Sequence, residues 1–347
     1  LEEVINASSP LLSWSSCSSS CLCWRSSSAP YVASPRVGWS SPYRLQDVML
    51  CIKPFMSGAV PFGCGQCLPC RINKRRQWAA RQFFESLSHE ENTFITLTYS
   101  DEHLPAGNNL VPRDLQLFLK RLRKQLHPLP VRFFAVGEYG HEGTRQWNPH
   151  YHLSLFGAAG RTDLNSRGVP THWGISEKVW TAWGKGIATC YEFNEKTASY
   201  VSGYTVKKLT SAGDAKLSGR HPEFMRSSRR PGLGTQAMSV IAETLLASGH
   251  FKDDVPNRLK VGSKDIPLGR FLLAKLRKFA GMTDEQIKLV KDKVSMERSL
   301  EMLALFQDSL GTEEVPTFRK THIEEVQQRV INAEARYKIW SAKKGKI

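Results

Sequence analysis

Three extended runs limit what this chain can fold into. Thr93–Tyr99 (TFITLTY), Val131–Glu138 (VRFFAVGE) and His150–Gly157 (HYHLSLFG) are rich in β-branched and aromatic residues, the composition of buried or half-buried strands. Between the first two lies VPRDLQLFLKRLRKQL, with Pro112 and Asp114 suited to a first helical turn. Leu115, Phe118, Leu119, Leu122 and Leu126 mark one face of that helix, and Lys120, Arg121, Arg123 and Lys124 the other. A polar, glycine-containing connection separates the second and third runs and suits them to pair as antiparallel neighbours. Upstream, Arg71–Leu87 reads as a basic amphipathic helix carrying Trp78, Phe83, Phe84 and Leu87. Downstream, the pattern predicts a short helix over Ser176–Trp183, a strand over Ile187–Phe193 and a helix over Glu195–Leu209. From Thr93 the order strand, helix, two strands, helix, strand, helix predicts an α+β fold of ferredoxin-like type, with helices on a central antiparallel sheet.

The ends of the chain read differently. Residues 1–48 are rich in Ser, poor in charge and without Met, and carry Cys17, Cys21 and Cys23; they are not expected to fold. The segment SWSSCSSSCLCW is broken by Ser throughout, so it is no secretory signal. The first methionine is Met49, and the preceding residues are expected to be an upstream extension of the reading frame. Residues 49–90 form a Cys-rich, basic segment, 91–215 the main domain, and 216–347 an accessory helical region with a basic tail ending in SAKKGKI.

Lys and Arg outnumber Asp and Glu by 48 to 32, a formal charge of +16 that favours a polyanionic partner through phosphate contacts and counterion release. Nucleic acid leads, and an acidic membrane surface comes second. No run approaches the roughly 20 apolar residues a spanning helix needs.

The sharpest chemical feature is His150-Tyr151-His152 on an apolar strand. Side chains two apart on a strand project to one face, so both imidazoles can share a metal ion. Glu138 ends the preceding strand, where antiparallel pairing brings its carboxylate beside them; His141 and Glu142, in the same connection, are alternative third ligands. Two histidines and a carboxylate leave coordination positions open for a phosphate oxygen. An isolated His-X-His is more often a pair of solvent-facing histidines, and the same ligand set serves non-haem iron oxygenases, although no small-substrate site accompanies it here. Tyr200 and Tyr204, at i and i+4 of a helix, present two phenols on one face. Taken alone they read as a buried aromatic pair, but Gly203 beside them costs about 1 kcal/mol relative to Ala, a cost a closely approaching DNA backbone would explain. Cys64-X-X-Cys67-X-X-Cys70, with Cys51 upstream, suits structural zinc or reduced free thiols equally, an iron–sulfur cluster less well and disulfides least.

Taken in order, TFITLTY, NPHYHLSLFG and YVSGYTVKK resemble the three motifs of HUH endonucleases, in particular the replication initiators of microviruses. PFGCGQCLPCRINKRRQWAARQ and GEYG are similar to the gokushovirus type, and the resemblance spans residues 49–208. It implies a rolling-circle replication initiator: a metal-dependent enzyme that nicks and rejoins single-stranded DNA through a 5′-phosphotyrosine. By resemblance, His150, His152 and Glu138 hold Mg²⁺ or Mn²⁺, and Tyr200 and Tyr204 are the nucleophiles. Lys207 and Lys208 match the basic end of the tyrosine helix and join Arg121 and Lys124 as candidate DNA contacts. The implied partners are single-stranded or nicked circular DNA with a host polymerase and helicase, in the host bacterial cytoplasm and without a membrane. The departure is the long connection Tyr139–Pro149, with Trp147 and Asn148 just before the histidines. Neighbouring readings are a relaxase or transposase of the same superfamily and a non-catalytic, zinc-containing nucleic-acid-binding protein.

Overall fold

The computed structural model describes residues 50–140, 147–158, 177–204, 215–249, 253–308, 310 and 317–344. The expected order of elements is present: β3 (Asn92–Tyr99), α2 (Pro112–Leu126), β4 (Arg132–Tyr139), β5 (Pro149–Phe156), α3 (Glu177–Trp183), β6 (Gly186–Glu192) and α4 (Glu195–Gly203). Ahead of them come a small hairpin, β1 (Phe55–Ser57) and β2 (Val60–Phe62), and α1 (Leu68–Ser86). After them come β7 (Phe224–Ser227), α5 (Thr235–Ala247), the hairpin β8 (Arg258–Val261) and β9 (Lys264–Pro267), α6 (Gly269–Phe279), α7 (Asp284–Asp308) and α8 (Phe318–Lys344).

Five strands form one antiparallel sheet in the order β6-β3-β5-β4-β7. Strands β3 and β4 therefore run parallel, with β5 inserted between them, which is the split β-α-β pattern of a ferredoxin-like fold. The strand carrying His150 and His152 is thus central, hydrogen-bonded on both sides, and its side chains have little freedom.

Strand alternation divides the molecule into two faces. Ile95, Leu97, Tyr99, Ala135, Tyr139, Tyr151, Leu153 and Leu155 point to one side and pack against Leu115, Phe118, Leu119 and Leu122 of α2 and Val179, Ala182 and Trp183 of α3. Phe94, Phe134, Val136 and Phe156 point to the other, against Val201 and Tyr204 of α4, Trp78 of α1 and Leu233. Helix α1 is shared: its Ala80 and Phe84 also enter a third cluster with α5 and α6, which carries Met238, Ile241, Leu272 and Leu276. The accessory helices thereby share α1 with the face that holds the histidines.

The structure differs from the sequence expectation at three places. Helix α1 begins at Leu68, earlier than expected, because Pro69 in its first turn preorganises the start. The stretch read as loop after Gly219 contributes β7, which pairs with the otherwise open edge of β4. The described part of α4 ends at Gly203 with Tyr204 as its cap, and the expected continuation to Leu209 lies outside the described residues.

Trp183 is fully buried, meets Tyr99, Phe118 and Tyr151 edge-on or tilted, and donates its Nε1–H to the Thr98 carbonyl over 3.0 Å. Trp183→Ala is expected to lower the unfolding free energy by about 3–5 kcal/mol, read from urea denaturation. A loss under about 1 kcal/mol would mean that α3 does not close this core.

Candidate active site

Antiparallel register sets Glu138 of β4 directly opposite His150 of β5, and His152 opposite Thr96 of β3 and Val136 of β4. Glu138 Oε1 lies 2.8 Å from His150 Nε2 and 3.2 Å from His152 Nε2. One ligand atom from each of the three residues falls within 4.8 Å of the others. Glu138 is only 5% exposed. Burial alone would raise its pKa, but hydrogen bonds from His150 and His152, with their charge, pull the carboxyl well below the usual carboxylate range. The carboxylate is ionised.

The far nitrogens of both rings are occupied. His150 Nδ1 lies 3.1 Å from the Asn148 carbonyl, which can only accept, so Nδ1 carries the proton and Nε2 is the ligating atom. His152 Nδ1 lies 3.0 Å from Thr96 Oγ1, which orients that ring in the same sense. Two oriented imidazoles and an ionised carboxylate, held by a sheet, fit a divalent cation that keeps coordination positions open. His141 and Glu142, the alternative ligands, lie outside the described residues.

Helix α4 brings the phenols to this group. Its start is fixed by a reciprocal cap in which Thr197 N–H donates to Asn194 Oδ1 over 3.0 Å and Asn194 N–H to Thr197 Oγ1 over 2.8 Å. Tyr204 O–H donates to the Tyr200 hydroxyl over 2.7 Å. The Tyr204 ring stacks on His152 with centroids 5.3 Å apart and 12° between planes, while Tyr200 meets the same ring edge-on at 5.4 Å. Burial, then the nearby Glu138 carboxylate and Tyr200, push the Tyr204 phenol far up; burial also raises Tyr200, opposed by the hydrogen bond it accepts from Tyr204. Both are neutral phenols at physiological pH.

Sequence reasoning missed the residues that set α4 against β5. Gln82 of α1, fully buried, donates to Ser202 Oγ over 2.7 Å and accepts from Ser154 Oγ over 2.7 Å. Ser202 sits between the two tyrosines, and Ser154 is two residues beyond His152 on the same face of β5. One amide thus ties the tyrosine helix to the histidine strand. Arg75, one helical face back along α1, donates through Nε to the Ser199 carbonyl over 3.1 Å and through Nη2 to the Ser199 hydroxyl. Its guanidinium lies over the Trp340 ring of α8, 3.7 Å from the centroid. The signal in the sequence was a glutamine four residues after Trp78 on an otherwise apolar helix face.

The structure places Arg121 away from this group. It lies on α2, against the opposite face of the sheet, and its Nε and Nη2 donate to the carbonyls of Ala182 and Trp183 over 2.6 and 3.0 Å. Lys124 is exposed on the same helix. Lys207 and Lys208 lie outside the described residues. The four cysteines form a second group: Cys51, Cys64, Cys67 and Cys70 place their sulfurs within 4.8 Å of one another, all as free cysteines. Burial would raise the Cys64 thiol, but backbone N–H groups of Cys67 and Gln66 pull it down to about 6.

A histidine–carboxylate centre beside a tyrosine helix on a split β-α-β sheet is what the comparisons with known proteins also point to. Residues 92–209, which contain the histidines, Glu138 and both tyrosines, match a family model of replication-associated proteins of the ORF2 type. The chain is similar to phage replication-associated proteins, as its gokushovirus-type motifs imply. Against replication-associated protein VP4 of Bdellovibrio phage phiMH2K it is 32% identical over 204 residues, 54% of this chain and 61% of the relative. Against replication-associated protein ORF2 of Spiroplasma virus 4 it is 33% identical over 184 residues, 49% of this chain and 55% of the relative. Replication-associated protein ORF4 of Chlamydia phage 1 is 29% identical over 176 residues, 46% of this chain and 41% of the relative. The chain thus spans less than two thirds of the length of each of these relatives. No solved structure matches it.

Thr96 holds His152 without touching the ligand position, so Thr96→Val is expected to weaken Mn²⁺ binding about 10- to 100-fold, measured by calorimetry on metal-free protein. Unchanged affinity would show that the Thr96 hydroxyl does not orient the ring.

Proposed function

We propose that this protein initiates rolling-circle replication of a phage genome by nicking and rejoining single-stranded DNA at the Glu138–His150–His152 centre, with Tyr200 and Tyr204 as nucleophiles. The observation that carries the reading is the packing of both phenols on His152, their hydroxyls 2.7 Å apart, beside a group of ligand atoms suited to a divalent cation. A buried tyrosine pair with a purely structural role has no need of an ionised carboxylate and two oriented imidazoles beneath it.

The chemistry follows from what these side chains are. A neutral phenol is a weak nucleophile, so the phosphodiester must be activated. Mg²⁺ or Mn²⁺ held by Glu138, His150 and His152 supplies that activation by neutralising charge on the phosphodiester oxygens. One tyrosine oxygen attacks phosphorus in line; the new O–P bond replaces the bond to the 3′-oxygen, which leaves and takes up a proton as the phenol loses one. The products are a 5′-phosphotyrosine and a free 3′-hydroxyl for a host polymerase to extend, while a host helicase opens the duplex. Bond energy is conserved, so no nucleotide hydrolysis is needed. With two phenols on one rigid face, one holds the 5′ end while the other attacks the regenerated junction and releases a closed circle.

Gln82 and Arg75 are positioning residues in this scheme, since they touch α4 and neither the ligand atoms nor the phenols. The catalytic unit is residues 91–215, completed by α1, and residues 216–347 are accessory. The net charge of +16 serves the DNA, with Lys124, Lys207 and Lys208 as contacts. Among the described residues no helix is long and apolar enough to cross a membrane. The site of action in this reading is the host bacterial cytoplasm.

Purified protein incubated with labelled single-stranded DNA of its own replicon and Mn²⁺ is expected to give a nick with label trapped on protein, abolished by chelator. Tyr200→Phe and Tyr204→Phe each retain a nick but lose circle release, and the double variant falls at least about 10³-fold in cleavage. Tight, salt-sensitive binding without cleavage anywhere on the replicon would sink the nickase and leave a zinc-containing nucleic-acid-binding protein in its place.

A further inference from the structure

Cys51, Cys64, Cys67 and Cys70 lie outside residues 92–209 and outside the nicking chemistry. Their local fold is nonetheless specific. Cys51 is fully buried just before β1; the β1–β2 hairpin returns the chain to Cys64; and Cys67 is the N-cap of α1, with Cys70 in the first turn. Gly65, at φ 72°, makes the tight turn between Cys64 and Cys67 that a side chain would strain. The Cys64 N–H donates to Cys51 Sγ over 3.3 Å, and the N–H groups of Gln66 and Cys67 to Cys64 Sγ over 3.4 and 3.3 Å. Such donors, with the positive end of α1, favour thiolates over thiols.

The spacing of the sulfurs decides what they hold. Cys67 Sγ is 3.8 Å from Cys51 Sγ, and all four sulfurs lie within 4.8 Å. A disulfide requires about 2.05 Å. A tetrahedral zinc site with Zn–S bonds of about 2.3 Å has sulfur–sulfur edges of roughly 3.8 Å. A four-iron cluster puts each thiolate on a different iron and spreads the sulfurs wider than one shared ion does.

We propose that Cys51, Cys64, Cys67 and Cys70 bind a structural Zn²⁺ that fastens the β1–β2 hairpin to the start of α1. The step is ligand binding without redox change: the thiols give up their protons to solvent and four thiolates take the ion. Its place in the fold gives it reach, because α1 carries Arg75 and Gln82 to α4. The ion anchors the end of the helix against which the tyrosine helix is set. This assignment is independent of the nickase reading.

The test is metal analysis of the full chain, produced with zinc and iron both in the medium and purified without chelator. The expected result is about one zinc per chain, retained in His150→Ala/His152→Ala and lost in Cys64→Ser/Cys67→Ser. Should the cysteine variant fail to fold, the wild-type protein still answers: titration with a mercurial is expected to release zinc to a chromogenic chelator in step with thiol modification. Iron in place of zinc, loss of zinc from the histidine variant, or zinc-free protein whose Cys64 and Cys67 are alkylated freely in the native state would each overturn the proposal.

Discussion

A charged carboxylate buried at the centre of a sheet is the constraint on which the rest of the molecule turns. An isolated Glu138 anion at that depth would cost several kcal/mol and would take up a proton instead. It stays ionised because β5 sets two imidazoles against it, and β5 holds them because it is flanked by β3 and β4 on both sides. The ferredoxin-like order of strands is therefore part of the site: it puts the histidine strand in the middle and the carboxylate on its neighbour at matching register. Moving Glu138 by one residue along β4 would turn its side chain to the opposite face of the sheet.

The second requirement is that the phenols meet that group in a fixed relation, and the chain meets it through α1. Gln82 holds Ser202 and Ser154 at once, so the tyrosine helix and the histidine strand share one buried amide. Because both partners are buried, losing the amide would leave hydroxyls unsatisfied, which makes the arrangement hard to slip by a helical turn. Arg75 repeats the attachment at Ser199 and stacks on Trp340, so the far C-terminal helix also bears on α4. The accessory region thus has a physical route to the site in a helix it shares with the sheet.

Much of this was legible in the sequence. Strand parity puts His150 and His152 on one face, an antiparallel return brings Glu138 to them, and helical spacing puts Tyr200 beside Tyr204; each is a short-range rule, and the structure brings the five residues together. The long-range contacts were not legible. Gln82 and Ser154 are 72 residues apart, and nothing local marks either as a partner of the other. Arg121 reads as a surface cation on an amphipathic helix, yet its partners are carbonyls 61 and 62 residues away whose position depends on how α3 packs. The cysteines stood level between zinc and free thiols because Cys51 is distant in sequence, and only the β1–β2 return places its sulfur near the others. Strand β7 read as loop because its short FMRS run has no marked alternation and gains its order from the β4 edge.

The central claim is that a phenol of α4 becomes covalently joined to DNA above the Glu138–His150–His152 group. The most direct measurement is mass spectrometry of peptides from protein trapped on its replicon's single-stranded DNA and digested with nuclease. The account predicts a nucleotide adduct on Tyr200 or Tyr204, absent when metal is withheld. An adduct on any other residue, or DNA cleaved with no adduct at all, would contradict it.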